Sequence, residues 1–151
     1  MTDLAERLEG DLKDAMRSRE TVRLGTIRRA RAALKNAEIE ARGPLPDEAA
    51  VRVLRGLVKQ HRESIDQFRA GGRDDLVARE REEMAVLETY LPAQMDEAAV
   101  GAVVAEVIAA EDAAGPRDLG RVMKASMSRL AGRADGNQVR AIAQRQLEGG
   151  S

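Results

Sequence analysis

An all-α fold is predicted from three features of the sequence. Hydrophobic residues make up 43% of the chain, yet only Phe68 and Tyr90 are aromatic, so any core is built from Leu, Val, Ile, Ala and Met. Ala, Leu, Glu, Arg and Met are strong helix formers, whereas the β-branched and aromatic residues that strands favour are comparatively few. The apolar residues also recur at separations of three and four, the period of a helix. At 151 residues the chain suits one compact unit or two small ones, and a chain of this size buries roughly two-thirds of its unfolded surface.

The N-terminal part reads as about four helices. The first spans about Asp3 to Arg17, with Leu4, Leu8, Leu12 and Met16 at four-residue spacing. The second, about Thr21 to Arg42, carries Leu24, Ile27, Arg31 and Leu34 and ends at Gly43-Pro44-Leu45-Pro46, a cluster of breakers. Asp47 is a suitable N-cap for the third, which runs to about Arg69. Its apolar side is Val51, Leu54, Val58, His61, Ile65 and Phe68, the seam spacing of a helix packed along a partner, and Gly71-Gly72 stops it. A fourth helix, Asp74 to about Thr89, groups Met84, Leu87 and Leu91 and ends at Tyr90-Leu91-Pro92, because proline cannot continue a helix.

That proline marks the expected joint between an N-terminal domain, residues 1–92, and a C-terminal domain, residues 93–151. The C-terminal part reads as three short helices. The first opens at Asp96 with the stripe Val100, Val103, Val104, Val107 and Ile108. The second opens at Gly115-Pro116, where the missing proline N–H costs nothing, and carries Leu119, Val122, Met123, Ser126, Met127 and Leu130. The last follows Gly132-Arg133-Ala134-Asp135-Gly136. Asp135 and Gln138 are spaced for a capping box, and Val139, Ile142, Ala143 and Leu147 face inward.

The composition excludes several function classes. With no cysteine there is no disulfide, thiolate zinc site, iron–sulfur cluster or cysteine nucleophile. No stretch approaches the ~18 apolar residues of a membrane span, and the opening residues lack a basic flank followed by an apolar stretch, so the expectation is a cytoplasmic protein with no membrane partner. His61 is the single histidine and sits on an apolar seam, where a structural or partner-facing role is expected. Asp74, Asp75, Glu80, Glu82 and Glu83 read as helix-start and surface charges rather than ligands of a divalent ion. The sequence has neither common Gly-rich phosphate loop, and Met123 and Met127 read as core filler. No catalytic residue, metal ligand or cofactor is assigned.

The formal net charge of -1 conceals a pattern. Residues 16–42 hold eight bases against three acids, residues 79–112 nine acids against two bases, and residues 113–151 seven bases against three acids. Such asymmetry suggests a polyanion or an acidic partner at the basic ends. Arg117, Arg121, Lys124 and Ser128 recur at i, i+4, i+7 and i+11 opposite the stripe from Leu119 to Leu130, and Arg133 and Arg140 extend that line. Two readings stand: a row that matches successive phosphates, or an ordinary solvated face. The lack of stacking aromatics favours the shape and backbone of a folded RNA over a single strand, and no DNA partner is expected.

Five motifs then carry a resemblance. They are VKQHRESIDQF from Val58 to Phe68, GGRDDL from Gly71 to Leu76, Tyr90-Leu91-Pro92, RDLGRVM from Arg117 to Met123, and GRADG from Gly132 to Gly136. In this order, over almost the whole chain, they closely resemble the GatB/YqeY family, and within it a stand-alone YqeY-like protein. The resemblance implies an all-helical N-terminal domain joined to a small helical C-terminal domain. It also implies kinship with the tail of the B subunit of the tRNA-dependent amidotransferase, which helps hold the tRNA. Similar domains are fused to a glutaminyl-tRNA synthetase as a tRNA-binding appendage. By that resemblance, the segments from Arg117 to Met123 and from Gly132 to Gly136 belong to the RNA-facing tail. Arg121 and Arg133 stand where lysine is frequent, Leu119 where methionine is frequent, and His61 where arginine is common.

The family label is a carbon–nitrogen ligase with glutamine as amido-N donor, but the ATP-using and glutamine-hydrolysing parts of that enzyme lie outside the matching region. The resemblance therefore implies an accessory that binds tRNA, with an aminoacyl-tRNA synthetase or amidotransferase as further partner. The competing expectation is a helical protein-interaction module without RNA binding, using the acidic segment Arg79–Asp112 or the third-helix seam.

Overall fold

The computed structural model describes residues 3–149. Among them lie α1 (Asp3–Ser18), α2 (Thr21–Ala41), α3 (Asp47–Ala70), α4 (Asp74–Glu88), α5 (Glu97–Ala110), a 3₁₀ turn (Pro116–Asp118), α6 (Leu119–Leu130) and α7 (Gly136–Glu148), with no strand. The chain divides into two units, Met1–Leu91 and Pro92–Ser151, and each has its own aliphatic core.

In the first unit α3 packs against α4 and α2, and α2 also packs against α1 and α4. Leu8, Ile27, Leu54 and Leu87 are fully buried at its centre, and truncating such a leucine to alanine costs about 2–5 kcal/mol. Two expected stripes shift. Met16 is 53% exposed and Ala15 takes the core position, because a strict four-residue spacing outruns the 3.6-residue turn by about 40° per step. On α2, Ala30 is buried and Arg31 is exposed, so the arginine leaves the apolar stripe on which its spacing put it. Asp47 is not a cap. Pro46 holds the N-cap position, and Asp47 begins the helix with no side-chain cap bond. An acid in a first turn still faces the positive end of the helix dipole.

The second unit packs α5, α6 and α7 pairwise around Val100, Val104, Val107, Val122, Leu130, Val139, Ile142, Ala143 and Leu147. Asp96 caps α5 as expected, its carboxylate accepting from the Ala99 amide at 2.7 Å. The region after Pro116 opens as a 3₁₀ turn before α6 begins at Leu119. Asp135 occupies the N-cap position of α7 but makes no side-chain cap bond, so the expected box does not form. Between α6 and α7, Ala131 (φ 49°) and Gly132 (φ 81°) are both left-handed and turn the chain. The Met95 amide bonds to the Arg133 carbonyl at 2.9 Å, which fixes the approach to α5.

Two expectations follow. Since each unit has its own core, fragments cut between Leu91 and Pro92 should each give a helical spectrum and a cooperative melt; two unstructured fragments would defeat this. Ser126 is fully buried, and its hydroxyl has no hydrogen-bond partner. An unsatisfied buried hydroxyl costs about 1–3 kcal/mol, so Ser126→Ala should raise the urea midpoint of the full chain. A lowered midpoint would reveal a partner for the hydroxyl.

Candidate nucleic-acid interface

The cations of the second unit fall into two groups. Arg129 donates to Glu106 at 2.5 Å and Arg145 to Glu97 at 2.9 Å, so both tie helices of the unit together. Arg133 is half-buried, and its guanidinium donates to the carbonyls of Leu130 at 3.0 Å and Arg129 at 3.2 Å. It caps the carbonyl end of α6, where four groups lack helical partners. Arg117, Lys124 and Arg140, by contrast, are exposed and make no ion pair among the described residues.

Arg121 lies between these groups. It sits 3.3 Å from Asp118 and 3.9 Å from Glu111, and its side chain is 51% exposed. An exposed pair of this kind is worth roughly 0–1 kcal/mol, so a phosphate competes for the guanidinium at little cost. The Ala114 amide donates to Asp118 at 2.8 Å. This bond, with Arg121 and Arg117 nearby, holds the Asp118 carboxyl below the usual carboxylate range. Arg121, Lys124 and Ser128 share a face of α6, whereas Arg117 belongs to the 3₁₀ turn before it and Arg140 to the second turn of α7.

In the first unit the acids do not all point outward. Glu80 and Glu83 turn inward while Glu82 is exposed, which corrects the expectation of a uniform surface trio. Arg29 donates to His61 Nε2 at 3.0 Å and to Glu83 at 3.1 Å, and His61 Nδ1 stands 2.5 Å from Glu80. A guanidinium only donates, so Nε2 accepts and Nδ1 carries the proton given to Glu80. His61, Glu80 and Glu83 offer one ligand atom each within 4.8 Å of one another, and they form the one such convergent group among the described residues. The donor types suit zinc, but the geometry does not. Two ligands on one tetrahedral zinc lie roughly 3.4 Å apart, well beyond the 2.5 Å between His61 and Glu80, and Arg29 already supplies the positive charge. The group is a partly buried relay, centred on the buried His61, that joins α2, α3 and α4, and the seam position of His61 was its sequence signal.

A second network anchors the end of α4. The Tyr90 hydroxyl donates to Asp11 at 2.5 Å, Arg23 lies 3.6 Å from Asp11, and Arg7 stacks 4.7 Å from the Tyr90 ring centre while donating to the Thr89 carbonyl at 2.8 Å. Burial, followed by the hydrogen bond to Asp11, pushes the Tyr90 phenol well above its ordinary value.

A family model described as "Yqey-like protein" matches residues 5–147. Among curated relatives named "Altered inheritance of mitochondria protein 41, mitochondrial", that of Eremothecium gossypii is 43% identical over 93 residues, covering 61% of this chain and 51% of the relative. That of Saccharomyces cerevisiae is 39% identical over 85 residues, covering 56% and 46%. That of Pyrenophora tritici-repentis is 34% identical over 131 residues, covering 85% and 71%. The chain thus spans about half the length of the first two. These names overturn the cytoplasmic expectation, since they point to mitochondria. That expectation rested on the lack of a secretory-type opening and of an apolar span, and neither bears on a mitochondrial address. No helix among the described residues is long and apolar enough to cross a membrane.

Tyr90 is the single tyrosine, so its ionisation can be followed by absorbance. A raised phenol stabilises the fold fully below pH about 10 and loses that contribution as pH rises through the folded value. The phenolate signal should appear at higher pH than in the denatured chain, and Asp11→Asn should move it down. Identical titrations of folded and denatured chain would refute the buried Tyr90–Asp11 bond.

Proposed function

The chain belongs to the YqeY-like protein family, and on that premise we propose that it is a non-catalytic adaptor that binds folded tRNA through the cations of its second unit. The observation that carries this reading is the exposure of Arg117, Lys124 and Arg140 without ion-pair partners among the described residues. Neighbouring Arg129 and Arg145 are held by acids of their own unit. Unpaired cations on a helical surface attract a phosphate backbone and release its counterions. Arg121 joins them when a phosphate displaces its weak acidic partners. Arg133 contributes by holding the end of α6, its guanidinium donating to the carbonyls of Leu130 and Arg129.

Phe68 and Tyr90 are the only aromatic side chains, and Tyr90 is buried. Base stacking is therefore a poor fit, and recognition of shape and backbone a better one. The adaptor role places the chemistry in a partner, an aminoacyl-tRNA synthetase or an amidotransferase, with this chain holding the tRNA.

Replacing Arg117, Arg121, Lys124 and Arg140 by glutamine keeps helix propensity high and spares Arg133. The quadruple variant should bind folded tRNA more weakly, and by nearly the same factor for different tRNA sequences, because phosphate contacts carry no sequence information. The slope of log affinity against log salt should fall by about 0.7 to 0.9 per lost contact. Glu82→Gln is the control and should leave binding intact or slightly stronger. A quadruple variant that binds tRNA like the parent would sink the proposal.

A further inference from the structure

The first unit carries cations of its own that neither the ion-pair networks nor the proposed tRNA surface uses. Arg28, Arg31 and Lys35 are exposed on α2 and make no ion pair among the described residues. The other arginines of the same helix are engaged, Arg23 with Asp11 and Glu20 and Arg29 with Glu83. The three free cations border a groove of about 460 Å³ between α1 and α2. Ala5 and Ala32 give it an apolar lining over the buried Leu8 and Leu34, and Glu9 and Glu38 complete it, so cations outnumber acids.

The exposed face of α2 has a second regularity. Gly25, Arg28, Ala32, Lys35 and Ile39 follow one another by three, four, three and four residues, the spacing of a seam against which another helix packs. Every one of them is exposed, and Ile39 is 66% exposed, one of two large hydrophobic side chains so placed among the described residues. Gly25 costs a helix interior about 1 kcal/mol relative to alanine, and a Cβ there would meet nothing within 4 Å. Packing within this chain therefore does not require the glycine, although a second helix lying close would.

We infer that the α1–α2 groove is the docking site for an acidic amphipathic helix of a partner protein. The apolar lining and Ile39 take the partner's apolar stripe, and Arg28, Arg31 and Lys35 pair with carboxylates along its edge. An RNA backbone would satisfy the cations but leave Ile39 and the apolar lining without a counterpart, so a protein helix fits the surface better. Anchors at i, i+3, i+4 and i+7 are the usual grammar of a helix laid in a groove. The inference is independent of the tRNA reading, which rests on the other unit.

The test uses the full chain and two synthetic peptides of about three heptads, long enough to hold helix in water. Both carry a Leu/Ala seam; one is flanked by Glu and the other by Lys. By fluorescence anisotropy the Glu peptide should bind and the Lys peptide should bind at least about tenfold more weakly. Amide shifts in NMR should concentrate at Ala5, Leu8, Ala32 and Ile39. Charge reversal by Arg28→Glu, Arg31→Glu and Lys35→Glu should invert the preference, and Ile39→Ser, which removes no charge and lies outside the core, should weaken the Glu peptide. Folded tRNA should bind the reversed and parent chains alike. The inference fails if the Glu peptide is not preferred, if its binding ignores these substitutions, or if tRNA binding is lost on charge reversal, which would make the groove an RNA surface.

Discussion

Packing of small aliphatic side chains along helices that repeat every 3.6 residues is the constraint on which both units depend. Without large aromatic rings to fill space, each core must be closed by residues that meet at the correct angle around the helix. Ala15 replaces Met16, and Ala30 replaces Arg31, because angular position decides burial even where residue type would suggest otherwise. In the second unit the same constraint makes valine dominant, with Val100, Val104, Val107, Val122 and Val139 filling a core of short helices. It also buries Ser126, the polar residue on that stripe, whose hydroxyl finds no partner.

Polar groups in the first unit supply what aliphatic packing leaves unspecified. The relay from Arg29 through His61 to Glu80, with Glu83 beside it, joins three helices by bonds that require one register. Tyr90, Asp11, Arg23 and Arg7 do the same between the first helical pair and the end of α4. A partly buried ion pair is weak evidence of net stability, since removing charges from water offsets much of their attraction. Such groups do penalise misaligned alternatives, because a shifted helix would leave the buried His61 without its hydrogen-bond partners.

These engagements separate some of the chain's cations from others. Arg23, Arg29, Arg129, Arg133 and Arg145 are committed to acids or to carbonyls within their own unit. Among the cations left over, Arg117, Lys124 and Arg140 are exposed in the second unit, and Arg28, Arg31 and Lys35 border the α1–α2 groove in the first. The former are the cations to which tRNA binding is attributed above, and the latter those of the proposed helix-docking groove.

The helix count, most helix ends and the choice of apolar faces were legible in the sequence, because each depends on local periodicity and on breakers such as Gly43-Pro44, Gly71-Gly72 and Pro92. The basic ends were legible as charge counts. Family membership was legible as five short motifs in order. What the sequence could not decide was which charged residues are spent inside the fold. Arg133 and Arg117 look alike as members of one basic row, yet one caps a helix and the other stands free. Glu80, Glu82 and Glu83 look alike as an acidic run, yet two of them face His61 and Arg29 across three helices. Pairing of side chains distant in sequence, such as Arg29 with His61 or Tyr90 with Asp11, is set by how helices come together, and only the tertiary structure fixes that.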